Sequence, residues 1–294
     1  MLNDIQKKIL QEVADMTGIP DGAVNIRSDG QKEYRQNSEH ITIESKTDKD
    51  GIDIRIAPFT KNENVHIPVV LTKSGFQDMV YNDFFVGEGA DVRIVAGCGI
   101  HTFYVGKNAK VTYIEKHYGE GEGRGKRILN PQTIVYLEEG ASIVMETSQI
   151  AGVDDTKRYT KVVAEGADSE VQITEKLLTD GEQHAISEMD VILNGAGSRT
   201  RVISRSVAKG SSTQLFYPRV QGNGPCFGHV SCDAIIMSAA KVRAIPEISC
   251  NHVDASLIHE AAIGRIAGEQ LLKLETLGLT PEEAEEKILE GFLR

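Results

Sequence analysis

The chain has 294 residues, of which 40% are hydrophobic, so it can bury the core of one large domain or of one domain with a small appendage. Its formal net charge of −11 argues against a nucleic-acid partner, because binding phosphates requires concentrated Lys and Arg. The sequence shows no secretory apolar segment and no membrane span. We therefore expect a cytoplasmic protein without a membrane partner, whose four cysteines are reduced.

The N-terminal region is predicted to be helical and the long middle of the chain to be β-structure. Apolar residues recur at helical spacing over residues 2–16, and Gly18 and Pro20 then end the helix. From about residue 39, segments such as DVRIVA (91–96) carry apolar residues at every second position, which is the pattern of strands. We expect a short N-terminal helical segment over residues 1–38 and a β-core over residues 39–254.

A turn of similar composition recurs between the predicted strands. An apolar residue is followed by Gly or Asn, then by a small residue and a strand, at residues 86, 105, 137, 163 and 193. The starts lie 19 to 32 residues apart, an irregular repeat that suits stacked β-coils in which each coil covers the next. A β-sandwich is the alternative, but it needs a hairpin turn roughly every 8–12 residues. Few Asn-Gly or Asp-Gly pairs join neighbouring strands here, so the pattern favours a β-helix.

Residues 255–294 are predicted to form a C-terminal helical region. The segment EAAIGRIAGEQLLKLETLG, which starts at Glu260, places apolar residues on one helical face and ends at Gly278, a suitable left-handed cap. The next segment opens with Thr280 as the N-cap, Pro281 at the first helical position and Glu283 completing a capping box. Two helices joined by a tight turn therefore close the chain.

Three soft donors lie within seven positions, at Cys226, His229 and Cys232. In a strand, residues 226 and 232 share one face and residue 229 lies on the other, so this spacing does not favour a local zinc site. The alternative is that Cys226 is a small buried apolar residue and that His229 is a satisfied surface residue.

A second group of possible ligands follows within a short span. It consists of Cys250, His252, Asp254, His259 and Glu260. If a coil returns after 20 to 30 residues, Cys232 and the segment 257–260 lie on adjacent coils, where a thiolate, an imidazole and a carboxylate converge. Thiolate-containing ligand sets favour iron–sulfur clusters or zinc. The alternative for His259 and Glu260 is a helix start, where an acid is favourable without any ligand role.

Three motifs stand near the C-terminus: SCDAIIM (231–237), IPEI (245–248) and HEAAIGRIAGEQLLKLETLGLTPEEAEEKILEGF (259–292). Together they resemble the end of the SufB/SufD family of iron–sulfur cluster assembly scaffolds. The resemblance is continuous over about 225–293, whereas residues 40–220 share only architecture and turn style. The short chain is similar to the compact archaeal and early-branching bacterial members.

The resemblance implies a mainly β protein with a right-handed parallel β-helix core and a C-terminal helical domain. It also implies a scaffold, rather than an enzyme, on which iron–sulfur clusters are assembled and from which they are transferred. Such a scaffold works as a homodimer through the β-helix, with a SufC-type ABC ATPase docked on the C-terminal helices, a sulfur donor and apo-protein recipients. An interaction subunit that docks the ATPase without binding a cluster is the alternative; a hexapeptide-type acyltransferase and a β-helix polysaccharide lyase or hydrolase do not explain the terminal helices.

By the same resemblance, Cys232 matches the family's interface cysteine, Glu260 the facing acid and His259 the histidine before it. These three residues are the expected metal ligands for a transient iron–sulfur cluster. The chain departs from longer SufB proteins because it lacks their extended N-terminal region and has no cysteine between Cys98 and Cys226. The route of sulfur entry, the cluster type, the use of a flavin and any help from Cys226 or Cys250 stay open, and Cys98 is expected to be structural.

Overall fold

The computed structural model describes residues 16–70, 79–118 and 125–293, together with residues 8, 10–12 and 14. Within these residues the chain is mostly β-structure and ends in two helices. The strands are β1 (Ala23–Ser28), β2 (Gln31–Gln36), β3 (Ile41–Ser45), β4 (Gly51–Ile56), β5 (Lys61–Ile67), β6 (Val69–Val70), β7 (Tyr81–Val86), β8 (Asp91–Ala96), β9 (Ile100–Val105), β10 (Lys110–Tyr118), β11 (Ile128–Leu129), β12 (Gln132–Leu137), β13 (Ser142–Ala151), β14 (Asp155–Ala164), β15 (Glu170–Thr179), β16 (His184–Leu193), β17 (Ser198–Ala208), β18 (Thr213–Gly222), β19 (Cys226–Ile236), β20 (Lys241–Ala244), β21 (Glu247–Cys250) and β22 (Ala255–Gly264). The C-terminal helices are α1 (Gly268–Glu275) and α2 (Pro281–Leu293).

The strands form two sheets, and from β4 onwards the chain crosses repeatedly from one sheet to the other. Sheet 1 has the order β2-β1-β5-β8-β10-β13-β15-β17-β19-β22, and sheet 2 has the order β20-β18-β16-β14-β12-β9-β7-β4-β3, with β21 also paired to β18. Neighbouring strands are parallel except at the N-terminal end, where β2 lies antiparallel to β1 and β3 to β4. The chain therefore winds as a parallel β-solenoid, which confirms the predicted fold class.

The recurring turn of the sequence forms one corner of the solenoid, stacked from coil to coil. The backbone N–H of Gly106 donates to the carbonyl of Val86 at 2.9 Å, and that of Glu138 donates to Val105 at 3.1 Å. At Gly195 a methyl group would overlap the carbonyl oxygen of Gly166 on the preceding coil. The turns are rich in glycine because the backbones of successive coils approach this closely.

Side chains alternate between the interior and the surface along each strand, as the period-two pattern predicts. Large apolar residues fill the interior of the N-terminal coils, where the rings of Phe84 and Phe103 stack with their centroids 4.3 Å apart. Burial of such residues is the main favourable contribution to folding, at about 25 cal/mol per Å² of apolar surface.

A cluster of charged side chains is buried inside the middle coils. The guanidinium of Arg158 lies 3.0 Å from Glu115 Oε2 and 3.4 Å from Glu175 Oε1. His117 Nε2 lies 2.7 Å from Glu115 Oε1, and Ser187 Oγ donates to Glu175 at 2.8 Å. Burial alone would raise the pKa of Glu115, but the charge of Arg158 and the hydrogen bond and charge of the neighbouring histidines together outweigh it and hold the pKa below its usual range. The interior therefore changes from apolar to partly ionic along the solenoid.

The N-terminal segment is helical at the described residues, but its later part is not. Residues 8, 10–12 and 14 are helical, and Leu10, Ala14 and Met16 pack against the outer face of sheet 1 in a second apolar cluster. The other predicted positions of this helix lie outside the described residues. The strands begin at Ala23 rather than near residue 39, so the predicted helical segment 1–38 is wrong over β1 and β2. The reason is that β1 completes sheet 1 beside β5.

The C-terminal helical region also begins later than predicted. The helix predicted from Glu260 begins only at Gly268, because β22 pairs in parallel with β19 over its whole length up to Gly264 and extends the solenoid by a further strand. The capping box of α2 is confirmed: Glu283 N–H donates to Thr280 Oγ1 at 3.2 Å, and Thr280 N–H donates to Glu283 Oε2 at 2.8 Å. Helix α2 packs on β17, and α1 buries none of its residues. No helix in the described part of the chain is long and apolar enough to cross a membrane.

Candidate functional site

The predicted ligands lie at the C-terminal end of the solenoid, which is open in the described structure. Strand β22 is the last strand of sheet 1, and β20 and β21 are the last of sheet 2. Every residue of these three strands is half-buried or exposed. The inner faces of both sheets are therefore accessible at this end, and the outer edges of the terminal strands carry no further strand.

Cys232 and His259 come together on the inner face of sheet 1. Cys232 occupies an inward position of β19 and is 4% exposed. His259 is in register with Val230, which is also inward, so its imidazole lies on the same face. Cys232 Sγ and His259 Nε2 are 3.2 Å apart. The prediction that Cys232 and the segment 257–260 lie on adjacent coils is confirmed.

Glu260 lies on the opposite face of the same sheet. It is in register with the outward residue Ser231, and its carboxylate Oε1 lies 3.0 Å from His229 Nε2. The structure therefore brings together Cys232 with His259 and, separately, His229 with Glu260. The two predicted ligands 259 and 260 diverge because consecutive residues of a strand point to opposite faces. A helix start at these residues, the alternative from sequence, is wrong.

The Cys232 and His259 pair is neutral in the free chain. Burial, together with the nearby carboxylates of Asp233 and Glu175, raises the pKa of the Cys232 thiol to about 12. Burial also lowers the pKa of His259, which keeps the imidazole uncharged near neutral pH. A soft metal ion that binds here must displace the thiol proton, since the thiolate and the neutral imidazole are the ligating forms.

The other cysteines occupy different environments. Cys226 is a buried residue on the inner face of β19, as its small buried apolar interpretation predicts, and His229 is on the outer face. Cys250 is exposed at the end of β21, and Cys98 is half-buried between β8 and β9. No group of three or more His, Cys, Asp or Glu side chains in the described part of the chain is arranged to hold a metal ion. One chain thus offers two neighbouring donors, Cys232 and His259, rather than a full ligand set.

Sequence reasoning did not identify the polar row behind Cys232. The residues that occupy the same inward position on successive strands of sheet 1 are Glu115, Thr147, Glu175, Ser204 and Cys232. The signal in the sequence is a polar residue at the same strand position in each coil, at intervals of 28 to 32 residues. This row joins the buried ionic cluster to Cys232 and contributes to the high pKa of its thiol.

Comparison with known proteins gives one consistent result. A family model described as SUF system FeS cluster assembly, SufBD core domain, matches residues 84–292. An iron–sulfur cluster assembly SufBD family protein of Archaeoglobus fulgidus is 29% identical over 284 residues, which cover 89% of this chain and 73% of that protein. A relative of the same description from Methanocaldococcus jannaschii is 25% identical, with 88% of this chain and 86% of the relative covered. Another, from Methanothermobacter thermautotrophicus, is 28% identical, and the match spans 54% of its length.

Proposed function

The chain belongs to the SufBD family of SUF-system iron–sulfur cluster assembly proteins, and from that premise we propose that it is a scaffold on which clusters are built at the open end of the solenoid and then released. The observation that carries the proposal is the contact between Cys232 Sγ and His259 Nε2 at 3.2 Å. A thiolate and an imidazole are both ligands for iron in protein-bound clusters.

The ligand count supports a dimer as the working form. One chain supplies two adjacent donors, and a two-fold axis at the open end would double them to four. The terminal strands have unpaired edges, and the apolar residues Phe227, Ile248 and Ile258 are exposed around them. Val253, in the turn before β22, is 92% exposed. Unpaired edges and exposed apolar residues are the features that a second copy would cover.

Glu260 fits this arrangement as a ligand supplied from the second copy. Its side chain is 63% exposed on the outer face of β22, on the far side of the sheet from Cys232 of its own chain. A copy packed against the open end can present its Glu260 to the inner face of the first. Because two subunits then hold one cluster, separating them would release it.

The C-terminal helices are the proposed docking site for a SufC-type ABC ATPase. Helix α2 is anchored to the solenoid, where Ala284 and Leu289 are buried. Helix α1 buries no residue, and Leu272 and Leu277 at its C-terminal side are exposed, the latter by 74%. An apolar surface on a short helix is a common form of partner site. The sulfur donor and the apo-protein recipients follow from the family alone, as does a cytoplasmic setting.

Anaerobic reconstitution with ferrous iron and sulfide tests the proposal. We expect the wild type to gain the visible absorption of a cluster and to bind iron and sulfide in equal amounts. The Cys232→Ser variant should show neither the absorption nor the bound iron and sulfide. The matched control is Cys226→Ser, an inward cysteine of the same strand, which should load like the wild type. If Cys232→Ser loads normally, Cys232 is not a ligand and the assigned site is wrong. If the wild type stays colourless while it still binds the ATPase, the chain is an interaction subunit instead.

A further inference from the structure

We propose that Cys226 and Cys250 form a second thiol site, a dithiol that closes to a disulfide by exchange with low-molecular-weight disulfides. The site lies at the same open end of the solenoid as Cys232 but uses different strands. It requires no iron, so the inference goes beyond the scaffold function and can fail or succeed independently of it.

The strand register places the two cysteines at the same corner of the solenoid, on successive coils. Cys226 is the first residue of β19 and points inward. Cys250 is the last residue of β21 and is in register with Gly222, the last residue of β18, which is buried on the inner face. Register partners on neighbouring strands share a face, so Cys250 points to the interior at the open end. Its exposure comes from the absence of a further coil in the described chain.

Gly222 adds no side chain of its own beside the Cys226 sulfur. A Cβ atom at Gly222 would lie 2.7 Å from Cys226 Sγ and 3.0 Å from the Cβ of Ala255. The strand that carries Cys250 is the direct neighbour of Gly222, at the usual strand spacing of about 4.8 Å. The Cys226 sulfur therefore lies against Gly222 of β18, the strand that pairs with β21, and the methyl group of Ala255 borders the same space.

Closing the bond requires movement of the short edge strand that carries Cys250. A disulfide requires Cβ atoms about 3.5–4.5 Å apart, and the two cysteines lie on strands of different sheets in successive coils. Strand β21 has four residues and, within the described residues, pairs with β18 alone, through its inner edge. Its end can move towards β19 without breaking a strand pair on its outer side.

The two thiols have the asymmetry that exchange chemistry uses. Cys250 is exposed and is the attacking residue, whereas Cys226 is buried. Burial and the neighbouring Cys250 both raise the pKa of the Cys226 thiol, so it stays protonated until it reacts. In the first step, the Cys250 thiolate attacks a small disulfide RSSR, which forms a Cys250–S–S–R bond and releases one RSH. In the second, Cys226 attacks the Cys250 sulfur, which forms the protein disulfide and releases the second RSH.

The disulfide would tie the end of sheet 2 to sheet 1 across the open end. Cys232 is six residues further along β19, about 20 Å away at the usual rise per residue, so it does not compete for the bond. Closing the link fixes the terminal strands on which the proposed dimer depends, and a dithiol reductant reverses it by the same two steps. The site thus connects the thiol redox state to the geometry of this end.

Peptide mapping of the full-length protein tests the site directly. The protein is incubated with oxidised glutathione, quenched with an alkylating agent and digested without reduction. We expect alkylation of Cys226 and Cys250 to fall together, a linked peptide pair containing both residues, and full recovery after dithiothreitol. In Cys226→Ser, the glutathione adduct on Cys250 should persist, because the second step is absent.

Two serine variants serve as matched controls. Cys98→Ser and Cys232→Ser should form the linked peptide as the wild type does. Three results would overturn the proposal: alkylation of Cys226 that is unchanged when Cys250 is fully oxidised, a persistent glutathione adduct on Cys250 in the wild type, or a Cys250–Cys250 bond between two copies. The wild type alone decides the outcome, so a variant that fails to fold does not weaken the test.

Discussion

The buried ionic cluster predicts a large stability loss when its arginine is removed. Arg158→Met keeps the approximate length of the side chain but leaves Glu115 and Glu175 in the interior without the guanidinium that lies 3.0 and 3.4 Å from them. Glu115 is fully buried, so water cannot replace the lost partner. Breaking a buried ion pair in this way costs about 3–5 kcal/mol, a large part of the roughly 5–15 kcal/mol that stabilises a typical domain.

The neighbouring position provides the matched control. Lys157 lies on the same strand but points outward, with its side chain 58% exposed and its ammonium 3.0 Å from Glu188. Lys157→Met should cost about 1 kcal/mol or less, as exposed ion pairs do. Urea unfolding of both variants measures the difference in the free energy of unfolding, provided that the dependence of this free energy on urea concentration has the same slope in both. If Arg158→Met is no more destabilising than Lys157→Met, the cluster does not hold the middle coils together.

The same cluster can be tested by neutralising all three members. A triple variant combines Glu115→Gln, Arg158→Met and Glu175→Gln, so that none of these three positions carries a charge. The triple variant should therefore recover most of the stability lost in Arg158→Met, because the penalty arises from unpaired buried charge rather than from the missing cation. A triple variant that is less stable than Arg158→Met would contradict this reasoning.

Two further predictions concern the interior and the stacked corner. Burial lowers the pKa of His101 to about 4. Between pH 6.5 and 4 the unfolded chain therefore binds a proton at this residue that the folded chain does not bind. As the pH is lowered through this range, His101 should reduce the free energy of unfolding by about 1.4 kcal/mol per pH unit. Urea midpoints at pH 7 and pH 5 should therefore differ less in His101→Gln than in the wild type, and equal differences would refute the burial of a neutral imidazole. Gly195→Ala should lose about 1–3 kcal/mol, because its methyl group overlaps the carbonyl of Gly166. Gly268→Ala, where the methyl group meets no atom within 4 Å, should change stability little, and equal effects of the two substitutions in thermal unfolding would contradict the close stacking.

The solenoid could be predicted from sequence because its signals are local and repeated. Alternating apolar residues define the strands, and the Gly-containing turn marks one corner of each coil. Residues 260–264 were misassigned because AAIG has small and aliphatic residues that fit either period. The free edge of β19 decides the outcome by offering β22 ten register pairs, a tertiary effect that a short window does not contain.

The candidate site was predictable only in part, for the same physical reason. The coil length places Cys232 and His259 on adjacent coils, so their proximity could be predicted from the repeat. The position of Glu260 depends on whether residues 259–260 are strand or helix, and that was the misassigned segment. The buried cluster was not recognised because Arg158 and Glu115 are 43 positions apart, and their pairing depends on which side chains face inward.

The position of iron in the loaded protein tests the central claim most directly. Crystals grown after anaerobic reconstitution can be measured at the iron absorption edge, where anomalous scattering locates iron without assumptions about its ligands. We predict iron on the inner face of sheet 1, bonded to Cys232 Sγ and His259 Nε2 at the open end of the solenoid. Iron bound instead to the outer-face pair of His229 and Glu260, or held away from Cys232 altogether, would contradict the proposed assembly site.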